Sequence, residues 1–301
     1  MTLSPPRLKN KTGLIFFLLF IPGFIFCQQQ NCRVLSSETK SGIAFVNVGI
    51  VGKNVGTVTD LDGNFSIELD NIYNNDSIRF SMIGFESKSF LVSYFKENSI
   101  KTIYLNPKSY FLTEVKVFFH RTREITLGTP VISDALKSGF ENNNLGSELG
   151  IEVDTKGQVK LEDINLNVAT CTYDSVTYRL NIYKIEDKIE DKTEDKKEDK
   201  VEYKNILTEP IYISFSKDKI KDVITYDLRK YSILIEGKVL ITLELYKDLG
   251  EGRLLFYTQF FTGYTYHKKT SEGNWTKAPG LIGMYLHGKL IKGGSYKSKK
   301  I

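Results

Sequence analysis

The sequence predicts an all-β protein built from two sandwiches, and three observations carry that reading. Apolar and polar residues alternate over short runs, as in Phe65-Ser66-Ile67-Glu68-Leu69 and Tyr178-Arg179-Leu180-Asn181-Ile182, which is the period-two pattern of a half-buried strand. Clusters of Gly, Asn and Asp interrupt those runs at roughly ten-residue intervals, the spacing of turns in small all-β domains. The chain is rich in Tyr (17) and Phe (19) and poor in Met (3), and aromatic residues favour pleated, half-buried surfaces. A length of 301 residues allows about two domains of roughly 150 residues each.

The N-terminus reads as an export signal. Arg7, Lys9 and Lys11 precede an apolar run from Gly13 to Phe26, followed by Cys27-Gln28-Gln29-Gln30. The run is short for a membrane span and has the charged and apolar regions of a signal peptide. A cut after Cys27 is favoured, with Gln28 as the new terminus. A lipid-anchored Cys27 is second, weakened by Phe26 where that peptidase wants a small residue, and a retained anchor is third. The expected location is exported, in the periplasm or at the outer membrane or cell surface, with membrane association only through the signal or a lipid anchor.

Residues 31–107 read as a compact set of strands: Val34 to Ser36, Phe45 to Val51, Val55 to Thr59, Phe65 to Leu69, Ile78 to Met82, Ser87 to Val92 and Lys101 to Leu105. The stretch Asp60-Leu61-Asp62-Gly63-Asn64 is a turn in which Gly63 supplies a positive φ and Asp side chains accept from backbone amides. It is not an EF-hand. With Gly63 at position six, Val58 falls at position one and Leu69 at twelve, and neither can ligate calcium as a side chain.

Three segments carry a resemblance: Ala44-Phe45-Val46-Asn47-Val48, Gly56-Thr57-Val58-Thr59-Asp60-Leu61-Asp62-Gly63-Asn64-Phe65, and Ile78-Arg79-Phe80-Ser81-Met82-Ile83-Gly84-Phe85. Residues 31–107 resemble the carboxypeptidase-regulatory-like domain, a small transthyretin-like β-sandwich common in envelope proteins of Bacteroidetes. One departure is Ile43-Ala44, where the family often has proline. The resemblance implies an accessory module and no peptidase. A zinc carboxypeptidase needs His-x-x-Glu, and none of His120, His267 and His287 has a Glu three residues on. Phe111 to Val117 contains Leu112-Thr113-Glu114-Val115-Lys116-Val117, similar to a segment of TonB-dependent outer-membrane receptors. Too few residues follow for such a barrel, which needs many strands of about ten residues.

Residues 108–147 are expected to be a linker, and 148–293 a larger, jelly-roll-like β-sandwich. Its expected strands begin with a hairpin, Leu149 to Val153 and Val159 to Thr172, turning across Asp154-Thr155-Lys156-Gly157, with a bulge near Glu162-Asp163. Val176 to Ile185, Pro210 to Ser216, Val223 to Leu228, Ser232 to Ile235, Lys238 to Tyr246, Leu254 to Tyr266 and Leu281 to Ile291 follow. The four-residue repeat from Ile185-Glu186-Asp187-Lys188 to Lys204 is a low-complexity insert, either a charged helix or a solvated hairpin loop. Asp227-Leu228-Arg229-Lys230-Tyr231-Ser232-Ile233 resembles a β-sandwich without assigned activity from the same envelope proteins. Residues 294–301 are a basic tail.

The net charge of +5 is modest and its lysines and acids interleave, so no basic stripe for nucleic acid is expected. No cofactor and no metal-ligand spacing are expected. No catalytic motif is found, and the protein reads as a non-enzyme. Cys32 and Cys171 fall in different domains, and the sequence leaves their pairing open. The candidate ligand residues are aromatic: Trp275 in Ser271-Glu272-Gly273-Asn274-Trp275, with Tyr264 and Tyr266 before it. They form either a sugar-stacking platform or a cap on the sandwich. The expected partner is an envelope protein or a glycan. The functional expectation is binding or assembly, with a carbohydrate-binding module or an accessory of TonB-dependent uptake as alternatives.

Overall fold

A computed structural model describes residues 29–108, 122–133, 135–141, 143–187, 201–220 and 223–291. The signal region, residues 112–117, the centre of the charged repeat and the basic tail lie outside the described residues.

The first unit holds seven strands: β1 (Gln29–Ser36), β2 (Asn47–Ile50), β3 (Gly56–Val58), β4 (Asn64–Glu68), β5 (Ser77–Ser81), β6 (Lys88–Leu91) and β7 (Thr102–Leu105). They form a three-stranded sheet in the order β4-β1-β7 and a four-stranded sheet in the order β3-β2-β5-β6. All pairs are antiparallel except β1 with β7. Alternation puts Val48 and Ile50, Phe65 and Ile67, and Ile78 and Phe80 into one core. Phe80 sits at its centre, with ring centroids 5.7 Å from Phe65 and 5.9 Å from Phe95. Phe95 comes from a short helix, α1 (Val92–Glu97), absent from the expected strands. It buries Val92 and Phe95 across the open end of the core.

The second unit begins earlier than expected. The stretch read as a linker holds β8 (Thr122–Thr129) and β9 (Lys137–Phe140). β8 pairs with β19 (Met284–Ile291) along its whole length, and β9 pairs with β17 (Leu254–Lys268). These strands are hard to read because β8 carries only Ile125 and Leu127 as half-buried apolar residues among polar neighbours.

The expected hairpin at Asp154–Gly157 is absent as well. β10 is one strand, Glu148–Leu166. Both of its halves pair with the same neighbour, β16 (Leu234–Glu244), and the turn-like residues are absorbed as an irregularity between Thr155 and Val159. Thr155 lies opposite Gly237, which has φ +74°. The segments read as separate strands at 232–235 and 238–246 are accordingly continuous. The bulge expected near Glu162-Asp163 is present, as a register shift between Leu161 and Asp163 against β19.

β10 thus runs through both layers of the sandwich. Its first half lies beside β16 and β17, its second beside β19 and β15 (Ile224–Asp227). β11 (Val168–Cys171) and β18 (Thr276–Ile282) pair with β17. β12 (Ser175–Asp187) pairs with β16, with β14 (Ile211–Ser216), and with β13 (Val201–Asn205). The β12–β13 pair shows that the charged repeat leaves and rejoins the fold as the two arms of a β-hairpin.

Candidate functional site

The two sandwiches meet over a row of charges that crosses four strands. In register, Arg179 of β12 lies opposite Glu244 of β16, Glu244 opposite Glu148 of β10, and Glu148 opposite Lys268 of β17. All four side chains are buried. The inward neighbours Leu180, Leu243 and Leu149 fill the sandwich core, so alternation alone sends these charges to the opposite face. With all four ionised, two cations balance two carboxylates, although burial pushes the Glu148 carboxyl up against the pull of Lys268.

Each member is fully engaged, as buried charge requires. Arg179 grips Glu244 in two bonds, Nε to Oε2 at 2.9 Å and Nη2 to Oε1 at 2.8 Å. Asn181 Nδ2 donates to Glu244 Oε2 at 2.6 Å, Thr242 Oγ1 to Glu148 Oε2 at 2.6 Å, and the Tyr183 hydroxyl to Glu148 at 3.0 Å. The Lys268 ammonium lies 2.5 Å from Glu148 Oε1. Burial would raise the Glu244 carboxyl, but the Arg179 guanidinium outweighs it and holds Glu244 below the usual range. Burial would lower Lys268, yet Glu148 and Glu244 keep it charged.

The first unit closes this row. Arg179 Nη1 donates to Phe45 O at 2.7 Å and Nη2 to Asn47 Oδ1 at 2.9 Å. The Phe45 ring packs edge-on against Tyr246, with centroids 4.7 Å apart. From the other side, the loop after β17 reaches into the first unit. Glu272 Oε1 accepts from Ser81 Oγ at 2.6 Å, and its Oε2 lies 3.0 Å from Arg79 Nε. Glu272 O accepts from Gly52 N at 2.9 Å, and Asn274 Nδ2 donates to Gly52 O at 2.7 Å. This approach depends on two glycines paired across β2 and β3, Gly49 and Gly56. A Cβ on either would lie 2.3 or 2.5 Å from Ser271 O.

The three aromatic candidates are placed differently from one another. Trp275 is half-buried on the same polar face, with its ring centroid 5.8 Å from Tyr183 and 5.6 Å from Tyr203, and the Lys268 ammonium 4.7 Å over it. It therefore shields the end of the charged row. Tyr266 is buried, its hydroxyl bonded to Glu152 and its ring under Lys277. Tyr264 is exposed. Trp275, Tyr183 and Tyr203 form one aromatic group. Tyr264 alone of the three candidates offers an open ring.

The hairpin at 60–64 is a closed turn. Asp60 Oδ1 accepts from Asp62 N at 2.9 Å and from Asn64 N at 2.8 Å, and Asn64 Nδ2 donates to Asp60 Oδ2 at 3.1 Å. Slight burial raises the Asp60 carboxyl, and these bonds more than reverse it. Gly63 has φ +81°, and a Cβ there would lie 2.4 Å from Val34 O. Beside this hairpin a cleft of about 950 Å³ opens between the two units, walled by Arg33, Phe45 and residues of the hairpin on one side and Tyr246 and Lys247 on the other.

Among the described residues, no three His, Cys, Asp or Glu side chains gather to hold a metal ion. Cys32 and Cys171 are both free. Burial pushes the Cys32 thiol up to about 11 and raises Cys171 too, which leaves both poor nucleophiles near neutral pH. The arrangement is suited to holding two domains and presenting surfaces. The junction was missed in the sequence, although one signal was there. Glu148, Arg179, Glu244 and Lys268 each occupy a strand position next to a core residue, where an exposed charge would be ordinary.

Comparison with known proteins places the front of the chain. Residues 32–117 match the family model of the CarboxypepD_reg-like domain. The chain is also 33% identical over 84 residues to TonB-dependent receptor P3 of Formosa agariphila, a match covering 27% of this chain and 8% of that receptor's length. Among the described residues no helix is long and apolar enough to cross a membrane. With its seven-stranded sandwich and its closed Asp60–Asn64 turn, the segment 32–117 is a CarboxypepD_reg-like domain carried at the front of a second β-sandwich.

Proposed function

We propose that this chain is a non-catalytic cell-envelope protein whose front domain and second sandwich act as one rigid unit for binding or assembly. The carrying observation is the junction. The first unit caps the Arg179 end of the buried Arg179–Glu244–Glu148–Lys268 row through Phe45 and Asn47, and Trp275 covers its Lys268 end. A freely swinging accessory domain would uncover those charges at each excursion, at a cost of several kcal/mol per ion. The likeness of the front domain to part of a TonB-dependent receptor supports the envelope. Export by cleavage before Gln28 belongs to the same reading.

The test is in-cell cross-linking in the native host from positions on both units, with fractionation and mass spectrometry of the mature N-terminus. The reading expects an envelope partner captured from both units together. A cytoplasmic location, or no partner from either unit, would overturn it. The role as an accessory of TonB-dependent uptake is tested by deleting residues 112 to 117: it fails if the cross-linked partners are unchanged.

A glycan ligand is the second reading, favoured by the open ring of Tyr264 and by the half-buried Trp275 elsewhere on the same β17–β18 hairpin. Glycan-array binding that is lost in Tyr264→Ala and Trp275→Ala would support it. Absence of binding, or binding indifferent to both changes, would remove it.

A further inference from the structure

One stretch of β17 leaves its sheet and carries aromatic rings into solvent. Along the β17–β18 pair, Gln259 lies opposite Leu281 and Tyr264 opposite Gly280. Five steps on β17 answer one step on β18, so residues 260–263 are pushed out as a bulge. Its base is fixed. The buried Thr265 Oγ1 donates to Gly280 O at 2.7 Å and accepts from Ile282 N at 3.1 Å, and Thr258 N donates to Leu136 O at 2.9 Å. On this base Phe260, Phe261 and Tyr264 are exposed, Phe261 completely. Phe261 also has φ +65°, the left-handed region, where a bulky side chain carries a steric cost. Its ring meets that of Phe260, itself exposed, with centroids 5.9 Å apart. The fold holds strain here and gains no burial from it, which points to a task outside the chain.

The surroundings of the bulge narrow what it meets. No Asp, Glu, Lys or Arg occurs from Leu254 to Tyr266, from Ala278 to Leu286 or from Ile125 to Ser133. These stretches adjoin one another. Ile282 lies opposite Thr258 and Met284 opposite Thr129, and the connector after β8, with its exposed Ile132, reaches β17 at Thr258. Charges return at the root of the projection: Lys137 opposite Tyr257, Lys277 opposite Tyr266, and Glu152 bonded to the Tyr266 hydroxyl. A protein-docking patch has an apolar centre inside a polar rim. This tip projects and has no charged rim. The interface of a lipid bilayer makes the matching demands: it penalises charge, takes up aromatic rings and yields to a convex apolar probe. Lysines at the root suit the headgroup level, where long side chains keep their ammonium groups in water. The junction with the first unit lies at the opposite end of this half of β17, at Lys268, so a seated tip leaves it uncovered. We infer that the Phe260–Tyr264 bulge is a membrane-surface anchor, which seats Phe260 and Phe261 in the interfacial zone of a lipid bilayer whatever the headgroup charge.

The inference deepens the proposed envelope role and takes its setting from it. The probes are vesicles of zwitterionic phosphatidylcholine and vesicles with added anionic phosphatidylglycerol. Co-sedimentation of the whole chain is measured at about 0.1 M and about 0.5 M salt, where screening differs. Two variants accompany it. Phe260→Ser/Phe261→Ser removes both rings from exposed positions, and its melting temperature checks the fold. Phe261→Trp reports depth through quenching by lipids brominated on their acyl chains, with the half-buried Trp275 of the parent chain as reference.

Both kinds of vesicle should bind the parent chain alike, with no loss at the higher salt. The double serine variant should bind about tenfold or more weakly, since two rings no longer leave water. Emission of Phe261→Trp should be quenched, while that of Trp275 in the parent chain should not. No co-sedimentation up to about 1 mM lipid would overturn the anchor. So would binding that survives the serines, or that vanishes with salt. If the double variant melts early, Phe261→Ser alone carries the comparison, because that ring is fully exposed. An envelope cross-link lost with the serines, in a chain that ignores vesicles, would give the tip to a protein partner and overturn the lipid assignment. Fractionation separates the two readings. A chain in the envelope that ignores vesicles sinks the anchor and leaves the envelope role standing. A chain that binds vesicles through the tip but stays in the cytoplasm does the reverse.

Discussion

Two short polar connectors, the hairpin at 60–64 and the loop at 269–275, look alike in the sequence and behave oppositely in the structure. The hairpin spends its polar groups on itself: Asp60 accepts from residues two and four positions on, and Gly63 supplies the left-handed turn. The loop sends its groups away. Glu272 bonds Gly52 and Ser81 and forms an ion pair with Arg79, Asn274 bonds Gly52, and Ser271 Oγ bonds Asn47 at 3.2 Å. The first connector specifies a local shape and the second a partnership across some two hundred positions of sequence. Turn chemistry of the first kind is readable from a few residues. The second kind has no short-range signal, because its partners are chosen by the packing of two domains.

The largest expected effect comes from breaking the partnership at its centre. Arg179→Ala leaves Glu244 buried without its cation, and loss of one partner of a buried pair costs about 3–5 kcal/mol. Calorimetry should then show the single unfolding transition splitting in two as the units part. If the variant melts as cooperatively as the parent, the row does not hold the domains together.

Gly49→Ala attacks the same junction from the other unit without touching either core. Its Cβ would fall 2.3 Å from the Ser271 carbonyl oxygen, and overpacking of this kind costs about 1–3 kcal/mol. Protease cleavage within 269–275 should accelerate while the first unit stays folded. Gly250→Ala provides the contrast, since nothing lies within 4 Å of a Cβ there, although its φ of +77° keeps some strain.

Asp60→Asn tests the self-contained connector. The carboxyl is held below its ordinary value, so its stabilisation is present above the unfolded aspartate range and fades as pH falls through the folded value. The side chain is largely exposed, and solvent screening limits the effect to about half a kcal/mol. Urea titrations should show a shallower loss of stability on the acid side in the variant, with the junction unaffected. An unchanged acid limb would mean that the turn's hydrogen bonds do not depend on the charge.

The smallest effect is expected from removing residues 188–200 of the charged repeat, which connect β12 to β13. A short Asn-Gly turn in their place should leave the unfolding free energy within about half a kcal/mol of the parent, as for surface changes remote from packing. A large loss would show that this connector, too, has partners elsewhere.

Much of the fold was legible. Alternation gave the seven strands of the first unit, and the Asp-x-x-Gly-x-Phe stretch, Asp60 to Phe65, marked its hairpin, because both depend on residues a few positions apart. The bulge at Leu161–Asp163 was legible for the same reason, as a break in phase. Where a local signal competed with a long-range one, the local reading failed. Asp154-Thr155-Lys156-Gly157 has turn chemistry but is carried inside β10 as an irregularity against β16, and Thr122–Thr129 reads as polar linker but pairs with β19 throughout. Of the candidate site, the sequence yielded Trp275 and its neighbouring tyrosines but not what they cover.

By itself, then, the sequence determined the all-β class, the family of the front domain and the turn at Gly63, since each follows from periodicity or from the backbone freedom of single residues. Only the tertiary structure decided that Arg179, Glu244, Glu148 and Lys268 form one row and that Gly49 and Gly56 open a slot for Ser271. Those facts depend on register and domain docking. A shift of one residue in any of the four strands would send its charge into the core and leave every local pattern in the sequence unchanged.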